Sequence, residues 1–316
     1  MDSPPARKRY RAIFISPHLD DAVFSCGGLI AQLVNEGPVL VLNLFTRYLG
    51  TLKMHGAVLG VERYEEEAAV ANFLGFESRT LGELDAPFRR EEYRKIGNLF
   101  RPPVAQDIEW LPVLRQQLFA ELSQLEYQQL YVPLGVGWHV DHVLAHMVFE
   151  PWTSKPELQY YEDAPYCCIP QATRYRLDDI ASYAPPPGDS SLLPINELHA
   201  WWQAAAAYAN TALMKNLQPW IVRKCAVPAV SFYLFRLMAA HRKLAIAAPK
   251  RRLHPVLMQI NGEVERKVDA MALYGSQFKE FFSCREDCVS MLLEYAGKIQ
   301  CISGTVERYW INESFA

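Results

Sequence analysis

Val39-Leu40-Val41-Leu42-Asn43-Leu44-Phe45 is an almost unbroken apolar run. A strand with one face in water alternates apolar and polar residues, so this run belongs to a strand covered on both faces, as in a parallel sheet flanked by helices. Parallel strands need crossover connections, and the first half of the chain alternates accordingly. A strand over 12–16 precedes a helix near 22–36, which Gly37-Pro38 ends. After the 39–45 run come a helix near 62–74, a strand at 78–83, a helix near 107–125 and a strand at 129–133. Leu158-Gln159-Tyr160-Tyr161 is a further strand, ending in Glu162-Asp163. The expected fold is α/β and Rossmann-like, with a mostly parallel sheet, right-handed crossovers and helices on both faces. Gly27-Gly28 is expected to let the first helix pack close to the sheet.

The alternation stops at 165–190, where Pro165, Pro170 and Pro185-Pro186-Pro187-Gly188 intervene. A helical pattern is expected from Asn196, with Leu198, Trp201 and Trp202 inward. Between His199 and Gly262 there is no Asp or Glu, but there are nine Lys or Arg. This stretch is read as a solvated helical face or as a surface that meets an anion on a substrate or membrane. The apolar 226–235 run, bounded by Arg236, is too short to span a bilayer. Helices are expected near 262–283 and 285–297, with a last strand at 301–307. At 316 residues, the chain divides into a core of 1–164 plus 263–316 and a Pro-rich, mainly helical insertion at 165–262 that shapes substrate access. The net charge of −3 argues against nucleic-acid binding. Seven cysteines with no CxxC, and no apolar run behind the basic N-terminus, lead to the expectation of a cytoplasmic protein with reduced thiols.

The chemistry is carried at two strand-to-helix corners. Ser16-Pro17-His18-Leu19-Asp20-Asp21 leaves the first strand and opens the first helix. Nucleotide-binding folds place a Gly-rich phosphate turn there, but two carboxylates and an imidazole would repel phosphate and suit a divalent metal. The second corner is Gly135-Val136-Gly137-Trp138-His139-Val140-Asp141-His142, at the end of another short strand. Strand ends of a parallel sheet converge on one edge, so His18 and Asp21 with one histidine of the second corner make three N/O ligands. Three protein ligands with one open position is the usual catalytic zinc arrangement.

These motifs, in this order, resemble the PIG-L/LmbE family of zinc-dependent N-deacetylases. Arg63-Tyr64-Glu65-Glu66-Glu67 leading to Leu74-Gly75, then Leu84-Asp85, and the late Lys267 and Tyr274-Gly275-Ser276-Gln277 also match the family pattern. The resemblance covers roughly 10–165 and 260–312, and departs from the pattern at Leu19, where the family has Pro. It implies that His18, Asp21 and His142 hold Zn2+, although iron or another divalent ion fits the same donors. It also implies that Asp20 is the general base, that His139 stabilises the oxyanion or protonates the leaving amine with Asp141 orienting it, and that Arg63 and Asp85 bind the sugar. One type of family member uses a helper tyrosine shortly before the second motif; Gly137 lies in that neighbourhood here, so the helper is absent or supplied from elsewhere. Asp20 also suits a helix N-cap, Glu65-Glu66-Glu67 a solvated face, Tyr274, Ser276 and Gln277 a support for the sheet edge, and His146 a histidine satisfied by a neighbour.

The expected activity is hydrolytic removal of an N-acetyl group from an amino sugar or conjugate of the GlcNAc type. The basic stretch favours a phosphate-bearing or lipid-linked conjugate, with peripheral membrane contact. A zinc amidase acting on a larger acyl or thiol conjugate, and a non-catalytic sugar- or lipid-binding protein on the same fold, are the alternatives.

Overall fold

A computed structural model describes residues 7–50, 52–54, 57–60, 62–152, 155–193, 232, 236–243, 251–299 and 304–315. Strand β1 (Arg9–Ser16), helix α1 (Asp21–Leu33), β2 (Val39–Arg47), a small hairpin of β3 (Leu52–Met54) and β4 (Ala57–Leu59), α2 (Glu62–Leu74) and β5 (Glu77–Leu84) open the chain. Short α3 (Ala86–Arg89) and α4 (Ile96–Leu99) lead to α5 (Ala105–Ser123), β6 (Glu126–Pro133), α6 (Val140–Val148) and β7 (Leu158–Tyr161). Next come α7 (Ala172–Ile180), β8 (Ala181–Tyr183), β9 (Arg251–Gln259), α8 (Val264–Leu273), α9 (Gly275–Phe281), α10 (Arg285–Lys298) and β10 (Val306–Asn312).

The main sheet has eight strands in the order β5-β2-β1-β6-β7-β10-β9-β8. From β5 to β7 all pairings are parallel, while β10 runs antiparallel to both β7 and β9. The pleat of β1 divides the core. Ile13 and Ile15 pack with α5 and α6 on one face, and Ala12 and Phe14 pack with α1 and α8 on the other. Strand β2 is buried from Val39 to Thr46, as its unbroken apolar run requires.

Three sequence expectations change. Residues 181–183 and 251–259, inside the stretch expected to be loop and then helix, are strands of the main sheet. In β9 the run Arg251-Arg252-Leu253-His254-Pro255 lies in the basic stretch read as helical, and pairing with β10 and β8 makes it a strand. The last strand lies at Val306–Asn312 rather than 301–307. The 262–283 helix is two helices that break at Tyr274. Gly28 packs close to the sheet: a Cβ there would lie 2.7 Å from the side chain of Ile260, just after β9, and its N–H donates to Glu307 of β10 at 2.9 Å.

The helix expected from Asn196 and nearly all of the 226–235 run lie outside the described residues. The described cysteines are all free, and Cys167 and Cys168 hold their sulfurs 3.9 Å apart. Among the described residues, no helix is long and apolar enough to cross a membrane.

Candidate metal centre

Strands β1 and β6 are neighbours in the sheet, so the two corners that leave their C-terminal ends meet. At the first, Ser16 Oγ accepts the Ala22 N–H at 3.0 Å and serves the helix terminus. That leaves the Asp20 side chain free of capping, and its Oδ1 accepts from Arg63 Nη2 at 2.5 Å instead. At the second, Gly135 and Gly137 have φ of +81° and +86°, and Trp138, which follows them, reaches φ 61°. A side chain at Gly137 would meet Tyr166, its Cβ 2.5 Å from the ring, so the turn admits only glycine there.

His18, Asp21 and His142 come together as expected. Asp21 Oδ2 accepts from the His18 backbone N–H at 2.8 Å and from His18 Nδ1 at 2.9 Å, and lies 3.2 Å from His142 Nε2. His139 offers a nitrogen within 4.8 Å of those of His18 and His142, and Asp85 and Asp141 form a second such group with His18. Burial pulls the imidazoles down, but the Asp21 carboxylate between them holds His18 well above its usual value and pushes His142 up to about 10. Asp21 is held well below the carboxylate range, against the cost of burial, first by His142. Two imidazoles and a carboxylate converging on one point, each held in a charged form, are a donor set that fits a divalent cation in place of protons.

Asp20 is raised, by burial first, with Arg63 opposing. His139 is held well below its usual value by burial and by the charges of His18 and His142. Its Nδ1 accepts the Asp141 backbone N–H at 3.3 Å, which places the imidazole proton on Nε2.

Three further expected residues have defined partners in the structure. The Asp141 carboxylate does not orient His139; it accepts from His18 Nε2 at 3.1 Å, the Ala86 N–H at 3.0 Å and Arg89 Nη2 at 2.6 Å. Arg63 is 4 % exposed and committed to Asp20 and to the Tyr48 hydroxyl at 3.3 Å. Asp85 is buried with Oδ2 4.0 Å from His18 Nε2, and burial first pushes it up to about 6. Tyr274 donates to Glu67, which also accepts from Ser78 Oγ on the edge strand β5 at 2.6 Å, and Ser276 donates to Glu66 from its backbone at 2.7 Å and its hydroxyl at 2.6 Å, so this pair braces α2 beside the sheet edge. Glu65 is solvated, and His146 is satisfied by the Pro133 carbonyl at 3.0 Å.

Asp163 and Glu280 were not among the expected residues. Asp163 Oδ1 accepts from His142 Nδ1 at 2.7 Å, and its Oδ2 accepts the N–H groups of Gly135 and Val136, both at 2.7 Å. It lies two residues past the end of β7, next to β6, and the sequence signal was its position at a strand end. Glu280 has a buried Oε1 with no hydrogen-bond partner, and burial and then Asp20 push its pKa up to about 7.

A carboxylate behind a ligating imidazole fixes ring and tautomer, so Asp163→Asn is expected to weaken metal affinity about 10–100-fold, measured by chelator competition. Unchanged affinity would contradict the role given to Asp163. His142 titrates near 6.5 unfolded and near 10 folded. Its contribution to the stability of the metal-free protein is therefore full below pH about 6.5 and lost as pH rises toward about 10. A metal displaces those protons, so apparent affinity is expected to rise with pH through the same window, with protons released on binding. Calorimetry in buffers of different ionisation heat tests this, and a pH-independent affinity contradicts it.

The site is a buried histidine–carboxylate cluster at adjacent strand ends of a mostly parallel α/β sheet. Residues 13–152 match the model of the PIG-L family, described as GlcNAc-PI de-N-acetylase. The 2'-N-acetylparomamine deacetylase of Streptomyces fradiae is 31% identical over 167 residues, a match covering 50% of this chain and 58% of that protein. Among solved structures, the A40926 pseudoaglycone deacetylase is 19% identical with a TM-score of 0.58, covering 98% of this chain and 99% of its own. The zinc-inhibited form of teicoplanin deacetylase is 16% identical with a TM-score of 0.60, covering 96% and 97%. At these identities the two structures show the fold.

Proposed function

We propose that this protein is a metal-dependent hydrolase that removes the acetyl group from the nitrogen of an amino sugar or sugar conjugate of the GlcNAc type. The observation that carries the reading is the convergence of His18 Nδ1 and His142 Nε2 on one oxygen of Asp21, with Asp20 beside them. The family match and the deacetylase names of the relatives support it. His18, Asp21 and His142 would hold the metal, proposed to be zinc, which when bound supplies a Lewis acid for the amide carbonyl and lowers the pKa of water.

Asp20 is the base of this reading. Its raised pKa improves its proton affinity, and Arg63 holds its carboxylate in place. It takes a proton from the attacking water. His139, neutral with its proton on Nε2, donates to the carbonyl oxygen as that atom gains negative charge. Asp20 then returns its proton to the departing nitrogen, so one amide and one water become one amine and one acetate. Residues 165–262 are proposed to shape access to this centre. Their exposed Arg236, Arg242 and Lys243 support a phosphate-bearing or lipid-linked conjugate met in the cytoplasm, with membrane contact peripheral.

The test is a panel of N-acetylated amino sugars, free, glycosidic, phosphate-bearing and lipid-linked, incubated with metal-loaded protein. Acetate and free amine should appear from at least one of them in equal amounts. Release only of larger acids from N-acylated controls would move the function to the amidase alternative, and no release from any substrate would leave a binding protein.

A further inference from the structure

Arg89 is the last residue of α3, with a side chain 6% exposed. Its Nη2 donates to Asp141 Oδ1 at 2.6 Å and lies 3.3 Å from Asp107 Oδ2, and its Nη1 donates to the Leu84 carbonyl at 2.8 Å. The guanidinium sits over Phe45, Tyr93 and Trp110, at 5.1, 5.7 and 5.5 Å from the ring centroids. Asp107, fully buried, is held in turn by Arg90 Nε at 3.0 Å and the Tyr93 hydroxyl at 2.8 Å. The guanidinium is thus fixed from several directions in a water-poor setting, where a fork-shaped donor holds its acceptors most firmly.

On the far side of Asp141 stands His18. The carboxylate that Arg89 holds by Oδ1 uses Oδ2 to accept from His18 Nε2 at 3.1 Å and from the Ala86 N–H at 3.0 Å. With Nε2 committed, Nδ1 is the His18 nitrogen that faces Asp21, at 2.9 Å. A ring flip would break both contacts at once.

We infer that Arg89 is a positioning residue for the metal centre: by clamping Asp141 it fixes which nitrogen His18 presents beside Asp21 and His142, and so sets metal affinity without touching metal or substrate. The inference rests on the metal reading above. It adds a residue outside both motifs, and it gives the central Asp of the second motif a task toward His18 rather than toward its neighbour His139.

The experiment measures Zn2+ affinity by chelator competition for wild type, Arg89→Met, Arg89→Lys, Asp141→Asn and the Arg89→Met/Asp141→Asn double variant. In parallel, the imidazole 15N spectrum of the metal-free protein reports the hydrogen bonding and protonation of the two His18 nitrogens. Arg89→Met and Asp141→Asn are each expected to weaken binding about 10–100-fold. The double variant should be little worse than either single one, because they break one chain of contacts. Arg89→Lys keeps a cation beside Asp107 but loses the fork, so it should fold and still bind more weakly than wild type, with an altered His18 signal. Wild-type affinity and an unchanged His18 signal in a folded Arg89→Lys or Arg89→Met protein would overturn the inference, even with lowered thermal stability. A wild type that binds no divalent ion would instead overturn the metal reading itself.

Discussion

Asp20→Asn is expected to lower turnover by about 10²–10⁴-fold, the range a positioned acid–base group contributes, while metal affinity stays near wild type. The variant is nearly isosteric, and the residue it changes is not a terminus cap, since Ser16 Oγ takes the Ala22 N–H. The Asn oxygen can still accept from Arg63, so the local packing is retained. What is lost is the capacity to take a proton inside a buried site. A Michaelis constant little changed beside a collapsed kcat would mark the interaction as one made in the transition state. Activity within a few-fold of wild type would move the base elsewhere, with Glu280, its oxygen buried and unpaired, next in line.

The second large effect is on stability. Glu307 of β10 accepts from Lys267 Nζ of α8 at 2.7 Å, from the backbone N–H groups of Gly28 and Leu29 in α1 at 2.9 and 3.0 Å, and from the Tyr309 hydroxyl at 2.8 Å. Lys267 is 1% exposed and also donates to the Ser25 carbonyl at 3.0 Å. Burial alone would pull its pKa down, and Glu307 holds it above its usual value. Glu307→Ala leaves an ammonium and two helix N–H groups buried without this acceptor, so a loss of about 3–5 kcal/mol is expected, read by denaturant unfolding. Glu307→Gln keeps one acceptor oxygen and should lose less. A loss under about 1 kcal/mol for the Ala variant would mean that water reaches these groups. The consequence reaches the site, because α1 begins at Asp21, and its middle is held to β10 and α8 by this one carboxylate.

How much of this was legible beforehand follows from which contacts are local. The apolar run at 39–45 required a strand buried on both faces, and the structure gives Val39–Arg47 that place in the parallel half of the sheet. The meeting of His18 and Asp21 with His142 was legible because neighbouring parallel strands must deliver their ends to one edge. The antiparallel half was not. Strand β9 contains Pro255 and a basic triplet, and its identity comes from pairing with β10 about fifty residues away. The partners of the motif residues were equally hidden. Nothing in Phe88-Arg89-Arg90 distinguishes an arginine buried against Asp141 from one in solvent, and Asp163 gains its meaning only when β7 lies beside β6. The contact of Asp141 with His18 was hidden because spacing within one motif favours the near neighbour His139, whereas its carboxylate crosses to the other corner.

The most direct test of the central claim is amide hydrolysis at this centre with and without its metal. Purified protein would be stripped with a chelator, then reloaded with zinc or another divalent ion, and acetate and free amine followed on the best N-acetylated amino sugar of the panel. The account predicts no release from the stripped protein, and equimolar acetate and amine once the metal is restored. Equal release before and after stripping would contradict it, as would a wild type that binds the metal and a sugar and never cleaves the amide.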